Sequence, residues 1–196
     1  MKATFFERLG AYFIDMLVVS FIFSIICLGL GNNTSNTEKE MRELDDKLMK
    51  EEIKMDEYYD EYSQLLYYYQ KENVLQSGIS VALTIAYNVV FQYMNKGQSI
   101  GKKILKIQVV DKKTKKPISI LKGLLRSFII LSILSGTLLI IFLYIFNSKN
   151  YIISYSTVLM LEAIFTLTSV MFVLYRKDRR GLHDMMSNTI VIKESR

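Results

Sequence analysis

The chain has 196 residues, a net charge of +6 and one cysteine, with 51% hydrophobic and 22% charged residues. This length fits a single domain, and one cysteine excludes an internal disulfide framework. The charges are gathered between long apolar stretches, which excludes an ordinary soluble domain. We therefore predict an all-α integral membrane protein built on a four-helix transmembrane bundle.

Four apolar stretches predict the transmembrane helices, at about residues 9–31, 78–93, 123–146 and 152–175. A helix needs about 20 mainly apolar residues to cross a bilayer, and the second stretch is the shortest and most polar. The first contains Asp15, but about a dozen strongly apolar residues offset the cost of inserting one carboxylate. Because it lacks the small-residue cleavage site of a signal peptide, we expect it to be retained.

Basic and acidic residues are distributed unevenly between the connecting segments. The loop 96–122 holds nine lysines against one acid, and the tail 176–196 is also basic, whereas the segment 32–76 is acidic. Cytoplasmic segments carry the excess of Lys and Arg, so we predict that the loop, the tail and both termini face the cytoplasm, beside the anionic headgroups of the cell membrane. The basic charge then follows from topology, and we expect no nucleic-acid partner.

The acidic segment has a helical pattern. Apolar and aromatic residues recur at steps of three and four from Met41 to Tyr69, with a break at Glu51, and neither Gly nor Pro interrupts residues 37–76. This pattern predicts a long extracytoplasmic helix that continues into the second span. Two interpretations remain open: an amphipathic helix packed on its own protein, or a coiled-coil contact or docking surface for a protein partner.

The loop and the tail each contain a short run with β propensity, at residues 106–111 and 189–193. Both runs are predicted to be cytoplasmic, so we expect them to pair as a small ribbon of two strands. Gly97 and Gly101 precede the first run and suit a turn and close packing beneath the bundle.

Asp15 is predicted to need a partner, because a lone carboxylate in an apolar span is expensive. Arg126 has a similar depth in the third span and is the best candidate. The pair is either a static link between the two helices, or a site at which Asp15 alternates between protonated and cation-bound states beside Arg126.

Two further polar residues fall near the middle of predicted spans. Glu162 lies in the fourth span and Asn88 in the second, somewhat closer to the cytoplasm. Glu162 is either a proton carrier or a neutral acid that is hydrogen-bonded to Asn88 or Ser169.

The residues expected at the cytoplasmic interface suggest a second pair. Arg8 and Asp184 are natural partners there, and their ion pair would hold the tail under the first helix. His183, next to Asp184, is either a pH-sensitive group or a structural residue.

Three motifs stand in a fixed order along the chain. The first runs from Arg8 to Asp15, the second from Gly97 to Asp111 and the third from Arg180 to Thr189. Together they resemble the RDD family of bacterial multi-span membrane proteins, which is named for an arginine and two aspartates.

The resemblance implies roles for several residues. Arg8, Asp15 and Asp184 stand where the name-giving residues should be, and transport, including cation/proton antiport, has been proposed for the family. We therefore take transport of a small ligand or ion as the first hypothesis, with Asp15, Arg126, Glu162 and Asn88 as candidate binding residues. Transport by so small a bundle would favour a homo-oligomer.

A non-transporting scaffold, whose external helix docks a partner, is the competing hypothesis. The sequence offers no nucleophile–base pair, no Cys/His metal cluster and no phosphate-binding loop. We therefore expect no enzyme activity, no cofactor and no metal site.

Overall fold

The computed structural model describes residues 1–30, 36–128 and 130–194. Its helices are α1 (Phe5–Leu30), α2 (Asn36–Met49), α3 (Met55–Glu72), α4 (Val74–Met94), α5 (Ile100–Ile104), α6 (Ile120–Ser127), α7 (Ile133–Ile145), α8 (Ser148–Tyr175) and α9 (Leu182–Met186). Its strands are β1 (Ile107–Asp111) and β2 (Thr189–Lys193). The first residues of the predicted acidic segment, 32–35, and the last of the tail, 195–196, lie outside the described part.

Three helices of the described chain, α1, α4 and α8, are long and apolar enough to cross a membrane. They contain most of the predicted first span and all of the predicted second and fourth. Large apolar side chains such as Phe21 of α1 and Leu167 of α8 are exposed on the outer faces. Such faces are expected of helices that are surrounded by lipid.

The prediction of one continuous third span over residues 123–146 is wrong. The structure divides this stretch into α6 and α7, and Ser132, just before α7, has a φ of 57°. With 13 residues, α7 is about 20 Å long, shorter than the roughly 30 Å hydrocarbon core of a bilayer. Hydropathy does not reveal the break, because the residues on both sides of it are apolar.

The prediction of one helix over residues 37–76 is also wrong, because α2 and α3 form a helical hairpin. The turn follows Met49, where Glu51 adopts a φ of 57° and three backbone N–H groups donate to carbonyls in the last turn of α2. The Tyr58 hydroxyl then donates a hydrogen bond to Asp45 across the hairpin, at 2.9 Å. The break in the heptad pattern at Glu51 is therefore a turn, and only Asn73 separates α3 from α4.

The predicted strand pair is confirmed. β1 and β2 are antiparallel, with Val109 opposite Val191. The amino-terminal segment pairs with β2, because the Ala3 N–H donates a hydrogen bond to the Val191 carbonyl at 3.0 Å. Ala11 of α1 and Ala3 join residues of and next to the sheet in one buried core, whose other members are Ile107, Val109, Ile118 and Val191. The partly buried Leu105 packs against this core.

The bundle has two different ends, which we call the sheet end and the hairpin end. At the sheet end, α5 packs on α1, α9 packs on α8, and the two strands lie beside α5 and α9. At the hairpin end, α3 packs on the beginning of α8, where the Tyr67 and Tyr151 rings lie 5.7 Å apart. The Tyr67 hydroxyl also donates to the Leu143 carbonyl at the end of α7.

Candidate functional site

Asp15 lies among hydrogen-bond donors near the sheet end of α1, and the residue is 6% exposed. Its Oδ1 accepts hydrogen bonds from the Tyr87 hydroxyl at 2.7 Å and from the Gly101 N–H at 2.8 Å. Its Oδ2 accepts from the Ser99 hydroxyl at 2.5 Å and faces the Lys102 ammonium at 3.8 Å. The carboxylate therefore joins α1 to α4 and α5.

Two glycines allow this close approach. A Cβ on Gly101 would lie 2.2 Å from the Ala11 carbonyl oxygen of α1. Gly97 has a φ of +92°, and a Cβ there would lie 2.1 Å from the Val109 carbonyl oxygen. The prediction of a turn and close packing at these two glycines is confirmed.

Asp184 is the second buried carboxylate and is fully shielded from solvent. Its Oδ2 accepts a hydrogen bond from Arg8 Nη1 at 2.7 Å, and its Oδ1 lies 3.3 Å from Arg126 Nη2. The predicted pairing of Arg8 with Asp184 is confirmed. Arg180 fixes the backbone beside it, because its guanidinium donates to the Asp184 and Thr189 carbonyls, each at 2.9 Å. Asp184 thus ties α9 to α1 and α6.

The predicted pairing of Asp15 with Arg126 is wrong. Arg126 belongs to α6, which packs on α9 and so meets Asp184, whereas α5 folds under α1 and brings Lys102 to Asp15. The packing of α5 and α6, and not the position of each residue along its own helix, therefore decides which carboxylate each cation meets.

The titratable groups of the sheet-end segments are shifted by burial and by neighbouring charge. Burial alone would raise the pKa of the Asp184 carboxyl, but the positive charges around it, Arg126 foremost, hold it below its ordinary value. Burial lowers the pKa of His183 to about 4 and that of Lys102 to about 8. At neutral pH the imidazole is therefore neutral, with Nδ1 2.6 Å from the Ser169 hydroxyl, and Lys102 is cationic.

We expect the protein to lose stability as the pH falls from about 6.5 to about 4, because His183 takes up a proton in the unfolded chain before it does so when buried. The difference between the His183 pKa values of the unfolded and folded states corresponds to a loss of about 3 kcal/mol in the free energy of unfolding at the lower pH. His183→Gln should remove most of this loss in denaturant unfolding in detergent micelles. The charged groups around the imidazole are Asp184, Arg126, Arg8 and Lys102, and the pKa shifts of Asp184, Arg126 and Lys102 lie outside this pH window. An unchanged pH dependence in the variant would contradict the prediction.

A cavity of about 510 Å³ lies against both carboxylate clusters. Its polar lining comes from several elements: Arg8, Asp15, Asn88, Gln92, Lys102, Arg126 and His183. Its apolar lining includes Leu9 and Met16 of α1 and Val170 and Val173 of α8. Asn88 belongs to a π-helical turn of α4, Ala86–Phe91, a distortion that is frequent at functional sites.

Glu162 is separate from these clusters. Its carboxylate makes a short hydrogen bond with the Ser132 hydroxyl, at the break between α6 and α7. The predicted partners of Glu162 are therefore wrong: Ser169 bonds His183 instead, and Asn88 lines the cavity. The other oxygen of Glu162 is buried with no hydrogen-bond partner among the described residues.

The model of the RDD family matches residues 2–188, nearly the whole chain. The chain belongs to the RDD family. No curated protein and no solved structure matches it. In this RDD protein Arg8 pairs with Asp184, and Asp15 accepts hydrogen bonds from three neighbouring groups at the sheet end. Three apolar helices of the described residues, each long enough to cross a bilayer, together with the family mark it as a membrane protein.

Sequence reasoning missed all four partners of Asp15: the side chains of Tyr87, Ser99 and Lys102 and the N–H of Gly101. Lys102 was counted with the other lysines of a cytoplasmic loop, and Tyr87 with the apolar residues of a span. One signal was present, because Ser99 precedes a short helix and accepts a hydrogen bond from the Lys102 N–H as its N-cap. Such a cap fixes the direction of the following N–H groups, among them that of Gly101.

Proposed function

We propose that this RDD protein is a carrier that moves a small ligand across the cell membrane, with its sheet end in the cytoplasm. The observation that carries the proposal is that two cavities meet inside the bundle. The second cavity, of about 520 Å³, lies nearer the hairpin end and is lined by residues such as Cys27, Asn73 and Gln76. Thr84, Leu131 and Ser132 line both cavities. In the proposed carrier, the ligand passes from one cavity to the other at these three residues.

This passage coincides with the broken helix. Ser132 combines a left-handed backbone conformation with the short hydrogen bond to Glu162. A left-handed conformation costs a residue other than glycine roughly 1–2 kcal/mol, so surrounding contacts must hold it. Discontinuous helices with irregular backbone along a cavity are typical of transporters. A change at the break would widen or close the passage, and we assign Glu162 the role of holding it closed.

Cysteine accessibility tests the carrier proposal without a known substrate. Thr84→Cys in a Cys27→Ser background should react with a membrane-impermeant thiol reagent added from either side of the membrane, because a carrier opens to each side in turn. Leu167→Cys, on the exposed face of α8, is the matched control and should not react from either side. Glu162→Gln should change the ratio of the two rates several-fold. Reaction of Thr84→Cys from one side alone, or from neither, would contradict the proposal.

Cation/proton exchange at Asp15 has less support, because both oxygens of Asp15 accept hydrogen bonds and one faces an ammonium group. A cation would have to displace these donors. Proton flux driven by sodium or potassium in proteoliposomes, abolished by Asp15→Asn in a protein that remains folded, would favour exchange instead.

Docking of a protein partner at the hairpin is the second candidate function. The tip of the hairpin exposes Met49 (83%), Met55 (56%) and Tyr59 (59%) on an otherwise acidic surface. Exposed apolar groups within a polar rim favour a contact surface. A photo-crosslinker at the hairpin tip should capture a protein partner, and the double variant Met49→Ser/Met55→Ser should lose this crosslink. Unchanged thiol accessibility of Thr84→Cys in the same variant would then assign the hairpin a docking role.

A further inference from the structure

We propose that the sheet-end cavity binds an oxyanion, a carboxylate or a phosphate, that is attached to an apolar chain, and that Arg8 and Arg126 hold the oxyanion. This inference rests on the proposed function, because it names the ligand class of the same cavity. It is tested separately, since binding is measured without transport.

The charges of the cavity favour an anion. Three cationic side chains line it, those of Arg8, Lys102 and Arg126, against the single carboxylate of Asp15. Asp184 pairs with both arginines but is not part of the lining. The three cations still exceed the two carboxylates, Asp15 and Asp184, by one positive charge. His183 adds none at neutral pH, because burial keeps its imidazole uncharged.

The two arginines retain unused hydrogen-bond donors. Arg8 Nε and Nη2 and Arg126 Nη1 are buried and have no hydrogen-bond partner among the described residues. Each guanidinium gives one nitrogen to Asp184, on opposite carboxylate oxygens, which keeps the two groups side by side. Buried charged donors are rarely left unpaired, and planar guanidinium groups match the oxygens of carboxylates and phosphates. The remaining N–H groups therefore suit an anionic ligand.

The walls of the cavity favour an apolar chain behind the anion. Leu9, Met16 and Val19 line it from α1, and Val170 and Val173 line it from α8. Met16 is 52% exposed, so this wall continues onto the outer face of α1. A cationic base under apolar walls fits an amphiphile better than it fits a hydrated inorganic ion.

Ligand-induced thermal stabilisation of the purified full chain, in dodecyl maltoside, tests the inference. The probe is decyl phosphate below its critical micelle concentration, compared with inorganic phosphate and with decyltrimethylammonium. A ligand that binds the folded state raises the unfolding midpoint. We expect decyl phosphate to raise it, decyltrimethylammonium to leave it unchanged, and inorganic phosphate to act only at far higher concentration.

Matched variants test separately the two arginines and the apolar walls of the cavity. Arg126→Lys and Arg8→Lys keep the positive charge opposite Asp184 but remove the spare donors, and each should weaken binding about tenfold or more, which is at least about 1.4 kcal/mol. Val170→Trp narrows the apolar part and leaves the charge cluster intact, so it should abolish the decyl phosphate effect. Leu167→Trp, on the exposed face of the same helix, should bind as the unaltered chain does.

Three results would overturn the inference. Equal stabilisation by inorganic phosphate would assign the cavity to a small solute. Equal stabilisation by decyltrimethylammonium would show that charge is not recognised. Unchanged binding by both lysine variants and Val170→Trp would place the ligand elsewhere. Binding as expected, together with one-sided accessibility of Thr84→Cys, would reject the carrier and keep the site.

Discussion

Asp184→Asn is expected to lower the free energy of unfolding by about 3–5 kcal/mol, because breaking a buried ion pair leaves its partners charged and uncompensated. Asparagine preserves the shape of the side chain, while Arg8 and Arg126 both lose the carboxylate that they contact at 2.7 and 3.3 Å. Denaturant unfolding of the purified chain in detergent micelles measures the change.

Asp178→Asn is the matched control for this substitution. Asp178 pairs with Arg176 at 3.0 Å and approaches the buried Arg180 at 3.9 Å. The Asp178 and Arg176 side chains are partly exposed and the contact with Arg180 is long, so these pairs contribute little. We expect its unfolding midpoint to be unchanged. A loss of stability in Asp184→Asn no larger than that in Asp178→Asn would show that the buried cluster is not what holds the sheet end together.

Gly101→Ala is expected to destabilise the protein by about 1–3 kcal/mol, as extra volume does in a tightly packed core. The new methyl group would lie 2.2 Å from the Ala11 carbonyl oxygen and 3.0 Å from Asp15 Oδ1. Relief requires α5 to move away from α1, which lengthens the hydrogen bond from the Gly101 N–H to Asp15. Unfolding in micelles and the reactivity of a cysteine placed at Ser99 both report this separation.

Gly78→Ala separates the steric effect from the effect of helix propensity. Gly78 lies inside α4, and a Cβ there meets nothing within 4 Å. The substitution should leave stability unchanged or raise it slightly, because alanine favours the helix over glycine. If Gly101→Ala proved as harmless as Gly78→Ala, the close approach of α5 to α1 would not be required for folding.

The parts of the fold that follow from local patterns were predictable. Hydropathy located α1, α4 and α8, and β propensity located the two strands. Both backbone turns that were missed occur at residues other than glycine or proline, Glu51 and Ser132, which adopt a left-handed conformation that such residues seldom adopt. Apolar residues continue through the second turn, so neither composition nor hydropathy marks it.

An ion pair of the site could be predicted where the sequence offered one partner of opposite charge, but not where it offered two. Arg8 and Asp184 were expected to pair, and they form an ion pair at the sheet end. Arg126 lies within reach of one carboxylate and not the other because α6 packs on α9, a tertiary contact that the sequence does not encode locally. Lys102 is one of nine lysines in its loop, and only the fold distinguishes it from the other eight.

The pairing of the amino terminus with β2 determines the order in which the sheet end can assemble. Arg8 and Arg126 are synthesised long before Asp184, and the Ala3 N–H finds the Val191 carbonyl only when the last strand has been made. Until Asp184 is synthesised, the guanidinium groups of Arg8 and Arg126 lack the carboxylate with which both pair in the folded protein. A nascent chain that ends before α9 therefore carries both arginines without the carboxylate with which they pair in the finished protein.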